Sequence, residues 1–118
     1  MFRFHDELKV YLHRDPVDFR CGINSLSILV EQAMHLSPMA PALFVFGNRR
    51  RDRIKILGWE RNGFWLLLKR LEAGDRFVWP DSETAVVTMS VELLHWLVDG
   101  VDIAALERHR KRNYLRVS

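Results

Sequence analysis

The sequence predicts an α+β domain: a mostly antiparallel sheet of about four to five strands, one face packed against a long N-terminal helix and C-terminal helices. Three observations predict it. A period-two apolar alternation opens the chain, a helical apolar repeat follows it, and several β-prone segments joined by turn dipeptides precede a second helical stretch. At 118 residues with 48% hydrophobic side chains, the chain is long enough to bury a core without disulfides or metal.

Taken in order, Leu8, Val10 and Leu12 alternate with Lys9, Tyr11 and His13, which predicts a half-buried strand over Glu7 to His13. Asp15-Pro16 reads as a helix start or an approach turn, with Asp as cap and Pro at the first helical position. The apolar positions Phe19, Ile23, Leu26, Val30 and Ala33 then predict a helix from Phe19 to Met34, stopped by Ser37-Pro38. Leu43-Phe44-Val45-Phe46 suits a central strand, and Gly47-Asn48 with Arg49-Arg50-Arg51-Asp52 forms a charged turn.

Asn62-Gly63 is a strong hairpin signal between strands Arg53 to Trp59 and Phe64 to Leu71. With those two residues as the loop, Trp59 faces Leu66, Leu57 faces Leu68, Lys55 faces Arg70 and Arg53 faces Glu72. Lys55 opposite Arg70 is unfavourable unless an anion or carboxylate lies between them. Phe77-Val78-Trp79-Pro80 reads as a short strand that its proline confines to an edge. Ser90 caps a helix carrying Leu93, Leu94, Leu97 and Val98 and closed by Gly100, and Asp102 caps a last one. The reading divides the chain into one domain over 1–107 and a basic tail over 108–118, with no internal repeat or linker.

The formal net charge is only +3, but it is unevenly placed. Residues 1–48 carry −1, 49–76 carry +5, 77–106 carry −5 and 107–118 carry +4, and 14 of the 18 cations are arginine. Arginine's planar five-donor fork suits phosphates and base edges. In the +5 block, cations and aromatics interleave on the predicted hairpin, a pattern that fits phosphate neutralisation with rings available for stacking. The candidate DNA-binding residues are Arg49, Arg50, Arg51, Arg53, Lys55, Trp59, Lys69 and Arg70. The competing reading makes Arg49 to Arg51 a solvated turn and the rings core.

No catalytic or metal-binding set is visible. His5, His13, His35, His95 and His109 lack metal-ligand spacing, no Walker-type loop or nucleophile elbow occurs, and Asp15 and Asp18 serve as capping and first-turn residues. The expectation is a non-enzyme without cofactor. Cys21 alone cannot form an internal disulfide, which points to a reducing, cytoplasmic setting. No apolar run approaches the roughly 20 residues that cross a bilayer, so no membrane partner is expected.

The segments Pro16 to Leu26, Leu43 to Arg49, Asp52 to Leu57, Trp59 to Phe64, Lys69 to Glu72 and Phe77 to Pro80 resemble, in order and spacing, the TnpB or second-open-reading-frame proteins of the bacterial insertion-sequence sixty-six family. The resemblance spans about Val10 to Ile103. It implies an accessory role in DNA transposition beside a separate, larger transposase that supplies the strand-transfer chemistry, and no catalytic residues carry over. Asp18, Arg20, Arg49, Arg53, Lys55, Trp59, Asn62, Gly63, Lys69 and Arg70 match as motif residues. Gly58, where relatives often carry a bulky aromatic residue, and the basic tail depart from the pattern. The partners to expect are DNA, through the Arg-rich hairpin, or the element's transposase, through the acidic stretch from Asp81 to Asp102. Oligomeric state is left open by the sequence.

Overall fold

A computed structural model describes residues 4–106 of the chain. The elements are β1 (Lys9–His13), α1 (Ile23–Gln32), β2 (Ala42–Gly47), β3 (Arg53–Glu60), β4 (Gly63–Arg70), β5 (Val86–Met89) and α2 (Val91–Val98), followed by a helical turn over 103–106. The strands form a five-stranded sheet in the order β4-β3-β2-β1-β5. The sheet is mixed. β1 and β2 run parallel because α1 is the crossover between them, and the other three pairings are antiparallel.

Both faces of the sheet are covered, where the sequence suggested one. Val10, Leu12, Leu43, Val45, Ile54 and Ile56 point to the side occupied by α2 and pack with Val91, Leu94 and Leu97. Phe44, Phe46 and Leu57 point to the opposite side and pack with Leu26 and Val30 of α1. β2 lies at the centre of this three-layer arrangement, and each of its six residues is buried, as an uninterrupted apolar run requires. Ser90 caps α2 as expected, its Oγ accepting the Leu93 N–H at 3.2 Å, and Gly100 closes it at φ +87°. Asp102 Oδ1 likewise accepts the Ala104 and Ala105 N–H groups at 3.1 and 3.2 Å.

Three further expectations are corrected. The N-terminal helix is short, starting at Ile23 with Gly22 as its cap, because residues 16–22 are drawn into a turn. Asp18 accepts the Arg20 N–H at 2.9 Å and Val17 N–H donates to the Gly47 carbonyl at 2.9 Å, while Asp15 pairs with Arg14 instead of capping. At the other end the helix stops before Ser37-Pro38, turned aside by His35 at φ +56°. The segment Phe77 to Pro80 makes no ladder; β5 takes the sheet edge beside β1 instead. Phe77 and Trp79 are held by side-chain anchors, with Phe77 buried in the α2-side core and the Trp79 Nε1–H donating to the His13 carbonyl at 3.3 Å.

The third correction is the hairpin register. Glu60 faces Gly63, Trp59 faces Phe64, Leu57 faces Leu66, Lys55 faces Leu68 and Arg53 faces Arg70. The loop residues are therefore Arg61 and Asn62, with Gly63 already in β4. Arg61 takes φ +54°, and Asn62 N–H donates to the Glu60 carbonyl at 2.6 Å, closing a tight three-residue turn. Gly58 explains the register. It lies opposite Trp65, whose indole covers it so closely that a Cβ there would come within 2.7 Å of Trp65 Cε2. Phe4 stacks on the same indole at 5.9 Å. In this chain Trp65 fills the space above residue 58, and only glycine leaves room for it.

Gly58→Ala is therefore expected to destabilise the fold by about 1–3 kcal/mol through overpacking, read as a lower midpoint in urea unfolding, whereas Gly63→Ala, with open space at its Cβ, stays much closer to wild type.

Candidate nucleic-acid interface

The turn from Asn48 to Arg53 is laced by two side chains. Asn48 Oδ1 accepts the Asp52 and Arg53 N–H groups, both at 3.1 Å, and Asn48 Nδ2–H donates to Asp52 Oδ1 at 2.6 Å. The Asn48 hydrogen bond and the nearby Arg50 and Arg53 charges hold the Asp52 carboxyl below its ordinary pKa. This brace leaves Arg49 and Arg50 exposed at the tip.

Arg51 turns back into the protein at φ +59°. Its guanidinium lies 4.5 Å from the centre of the Trp79 ring, Nη2–H donates to the Arg14 carbonyl at 3.0 Å, and its own carbonyl accepts the Phe77 N–H at 2.7 Å. Burial lowers its pKa. A Cβ on Gly47 would come within 2.7 Å of Arg51 Nη1, so this glycine admits the inward guanidinium. Arg51 is thus the clasp that ties the 77–80 segment across the end of β2.

Lys55 is also committed inward. Only 9% exposed, it donates from Nζ to the Phe19 carbonyl at 2.8 Å and the Cys21 carbonyl at 2.7 Å, with the ammonium 4.8 Å from the centre of the Phe19 ring. Charge-assisted donation to two carbonyls satisfies the turn that leads into α1. Beside it, Asp18 accepts from the Arg20 guanidinium at 2.6 Å. The Arg20 side-chain and backbone hydrogen bonds, with a smaller contribution from the Lys55 charge, pull the Asp18 carboxyl down to about 2.

Arg53 and Arg70 face one another across β3 and β4, both exposed and on the α1 side of the sheet. Glu72 supplies the carboxylate that two adjacent arginines call for, bonding Arg70 at 2.8 Å in an open, solvent-screened pair, while Arg53 forms no ion pair among the described residues. Lys69 points to the other face, where Nζ–H donates to the Val98 carbonyl at the end of α2 at 2.9 Å. Trp59 lies at the far end of the hairpin, edge-on to Phe64 at 4.9 Å.

The structure therefore brings Arg49, Arg50, Arg53 and Arg70 to one end of β3 and β4, and separates Arg51, Lys55, Lys69 and Trp59 from them. Arg76 joins that end: it is exposed, and the N–H of the next residue, Phe77, bonds the Arg51 carbonyl. Its place in the +5 block was the available sequence signal, but nothing there indicated that 77–80 folds back onto the Arg49–Arg51 turn. Among the described residues no three His, Cys, Asp or Glu side chains converge to hold a metal ion, and no helix is long and apolar enough to cross a membrane. The basic tail 108–118 lies outside the described residues.

These features define a small three-layer αβα domain with an arginine-rich end. The chain belongs to the family of IS66 Orf2-like proteins, TnpB of the insertion-sequence sixty-six elements, whose model matches residues 8–108. That family assigns it an accessory role in transposition. It is similar to two uncharacterized proteins of Sinorhizobium fredii (strain NBRC 101917 / NGR234). The y4hO protein is 35% identical over 95 residues, 80% of this chain and 82% of that protein; y4jC is 36% identical over 101 residues, 86% of each. No solved structure matches.

Two outcomes follow from the inward cations. Lys55→Met keeps the stem but leaves two carbonyls without their donor, so thermal or urea unfolding should register a loss of about 2–3 kcal/mol. Arg53→Gln should stay within about 0.5 kcal/mol of wild type. For Asp18, the folded carboxyl titrates near 2 against an ordinary 3.8, so its contribution is present above pH 3.8 and fades as pH falls toward 2. The stability gap between wild type and Asp18→Asn should accordingly be widest near neutrality and close by about pH 2.

Proposed function

We propose that this transposition accessory protein binds DNA directly, through the phosphate-facing end formed by Arg49, Arg50, Arg53, Arg70 and Arg76. The observation that carries this reading is the Arg53–Arg70 juxtaposition. Two arginines are placed directly opposite one another on an exposed sheet end, beside a braced turn presenting two more, while other cations of the same block are engaged with carbonyls. Like charges at cross-strand distance disfavour the free fold and are relieved by a polyanion. Arginine forks also suit bidentate phosphate contact. The protein contributes positioning on the element's DNA and no chemistry of its own.

A second reading has its own support. The rim of α2 carries Asp99 and Trp96, the latter 40% exposed, and with Asp6, Glu92 and His95 they line an open, acidic depression suited to a basic segment of the transposase. In this reading the transposase, not DNA, is the direct partner.

Fluorescence anisotropy with labelled element-end duplex tests the first reading. Five neutralised phosphates give a slope of log affinity against log salt of about −4.5, and Arg53→Gln with Arg70→Gln should reduce its magnitude by about 2. No binding at low salt, or an unchanged slope in the double variant, contradicts it and leaves transposase docking.

A further inference from the structure

β4 is an edge strand of the sheet, and its charges are confined to Lys69 and Arg70 at one end, with no proline, bulge or short length to blunt the rest. It runs eight residues without proline, and its pairing with β3 continues through all eight without a bulge. The opposite edge, β5, has only four residues. Leu71 N–H bonds the Asp52 carbonyl, which fixes the alternation: odd-numbered residues of β4 turn their backbone groups to β3, and Phe64, Leu66, Leu68 and Arg70 turn theirs outward. Among the described residues these outward groups take part in no backbone hydrogen bond outside the sheet. Leu68 is 58% exposed on the same edge, an apolar side chain left in water beside an open ladder.

The residues of this edge are complementary to themselves in reverse. When two β4 strands are laid antiparallel with Leu67 on the twofold axis, Leu66 falls opposite Leu68, Phe64 opposite Arg70 and Trp65 opposite Lys69. Each aromatic residue then meets a cation, and no like charges face one another. A parallel arrangement would set Lys69 and Arg70 against their own copies. The outward-facing set Phe64, Leu66, Leu68 and Arg70 also supplies the hydrogen-bonded pairs in this register, so the ladder is satisfied along the whole strand.

We propose that two copies of this chain associate edge to edge through antiparallel β4 strands, forming a continuous ten-stranded sheet centred on Leu67. The twofold axis stands perpendicular to the sheet, so both Arg53–Arg70 pairs lie on one face, with the two Arg70 residues about 20 Å apart along the strand direction. The association does not depend on DNA binding and is measured without it.

Sedimentation velocity on the full chain at about 100 μM, where a micromolar contact is nearly saturated, should give twice the 14.0 kDa chain mass. Leu68→Pro removes an outward donor while leaving the β3 ladder intact, and Leu68→Lys places a charge on the edge without altering the backbone. Each should weaken dimerisation at least tenfold with an unchanged far-ultraviolet circular dichroism spectrum. Leu68→Lys keeps the test decisive should the proline disturb folding. A monomeric wild type at that concentration, or a dimer undiminished by Leu68→Lys, overturns the proposal.

Discussion

The ammonium of Lys55 is the contact on which the arrangement of this domain depends. It leaves the middle of β3 on the α1 side, and its two hydrogen bonds go to carbonyls of the turn that precedes α1. Without a donor there, the Phe19 and Cys21 carbonyls would compete for a helical continuation, which is what the apolar spacing from Phe19 onward suggests. With the donor in place, the backbone is held as a turn, α1 begins only at Ile23, and Phe19 lies against the ammonium. The buried cation thereby acts with the Asp18–Arg20 and Val17–Gly47 hydrogen bonds to hold the turn after which the crossover helix begins.

The same economy governs the rest of the basic block. Arg51 closes the fold by gripping Trp79 and the Arg14 carbonyl, and Lys69 ties β4 to the end of α2. Cations that serve the fold point inward or across to carbonyls, and of those that remain all but Arg61, exposed in the hairpin loop at the far end, lie where β3 begins and β4 ends. Net charge alone could not separate these roles, because charge is blind to whether a side chain's donors are already used.

Much of the architecture was legible in the residues. Period-two alternation located β1, an uninterrupted apolar run located the central strand, and Ser90, Gly100 and Asp102 marked helix ends for reasons that act within a few residues. What was not legible depended on distant partners. The Asn62-Gly63 signal placed the hairpin correctly but misplaced its loop, because the contact that decides register is Trp65 over Gly58. The error was two residues in the pairing, an even number, so every side chain stayed on its expected face. Arg70 consequently still meets a like charge, but that of Arg53 rather than Lys55. β5 went unseen because Val86 to Met89 is short and acquires its ladder only beside β1, while Phe77 to Pro80 had the composition of a strand and became a strap. The family resemblance was visible in the motif order, but it could not tell which motif cations are structural.

On the proposed reading, DNA meets the arginine-rich end of the sheet and not the acidic rim of α2. A titration of the isotopically labelled full chain with element-end duplex, followed by backbone and arginine Nε–H resonances, tests it most directly. Saturable shifts are expected to concentrate at Arg49, Arg50, Arg53, Arg70 and Arg76, with the residues around Trp96 and Asp99 unmoved. Shifts confined to α2, or none at saturating DNA, would contradict it.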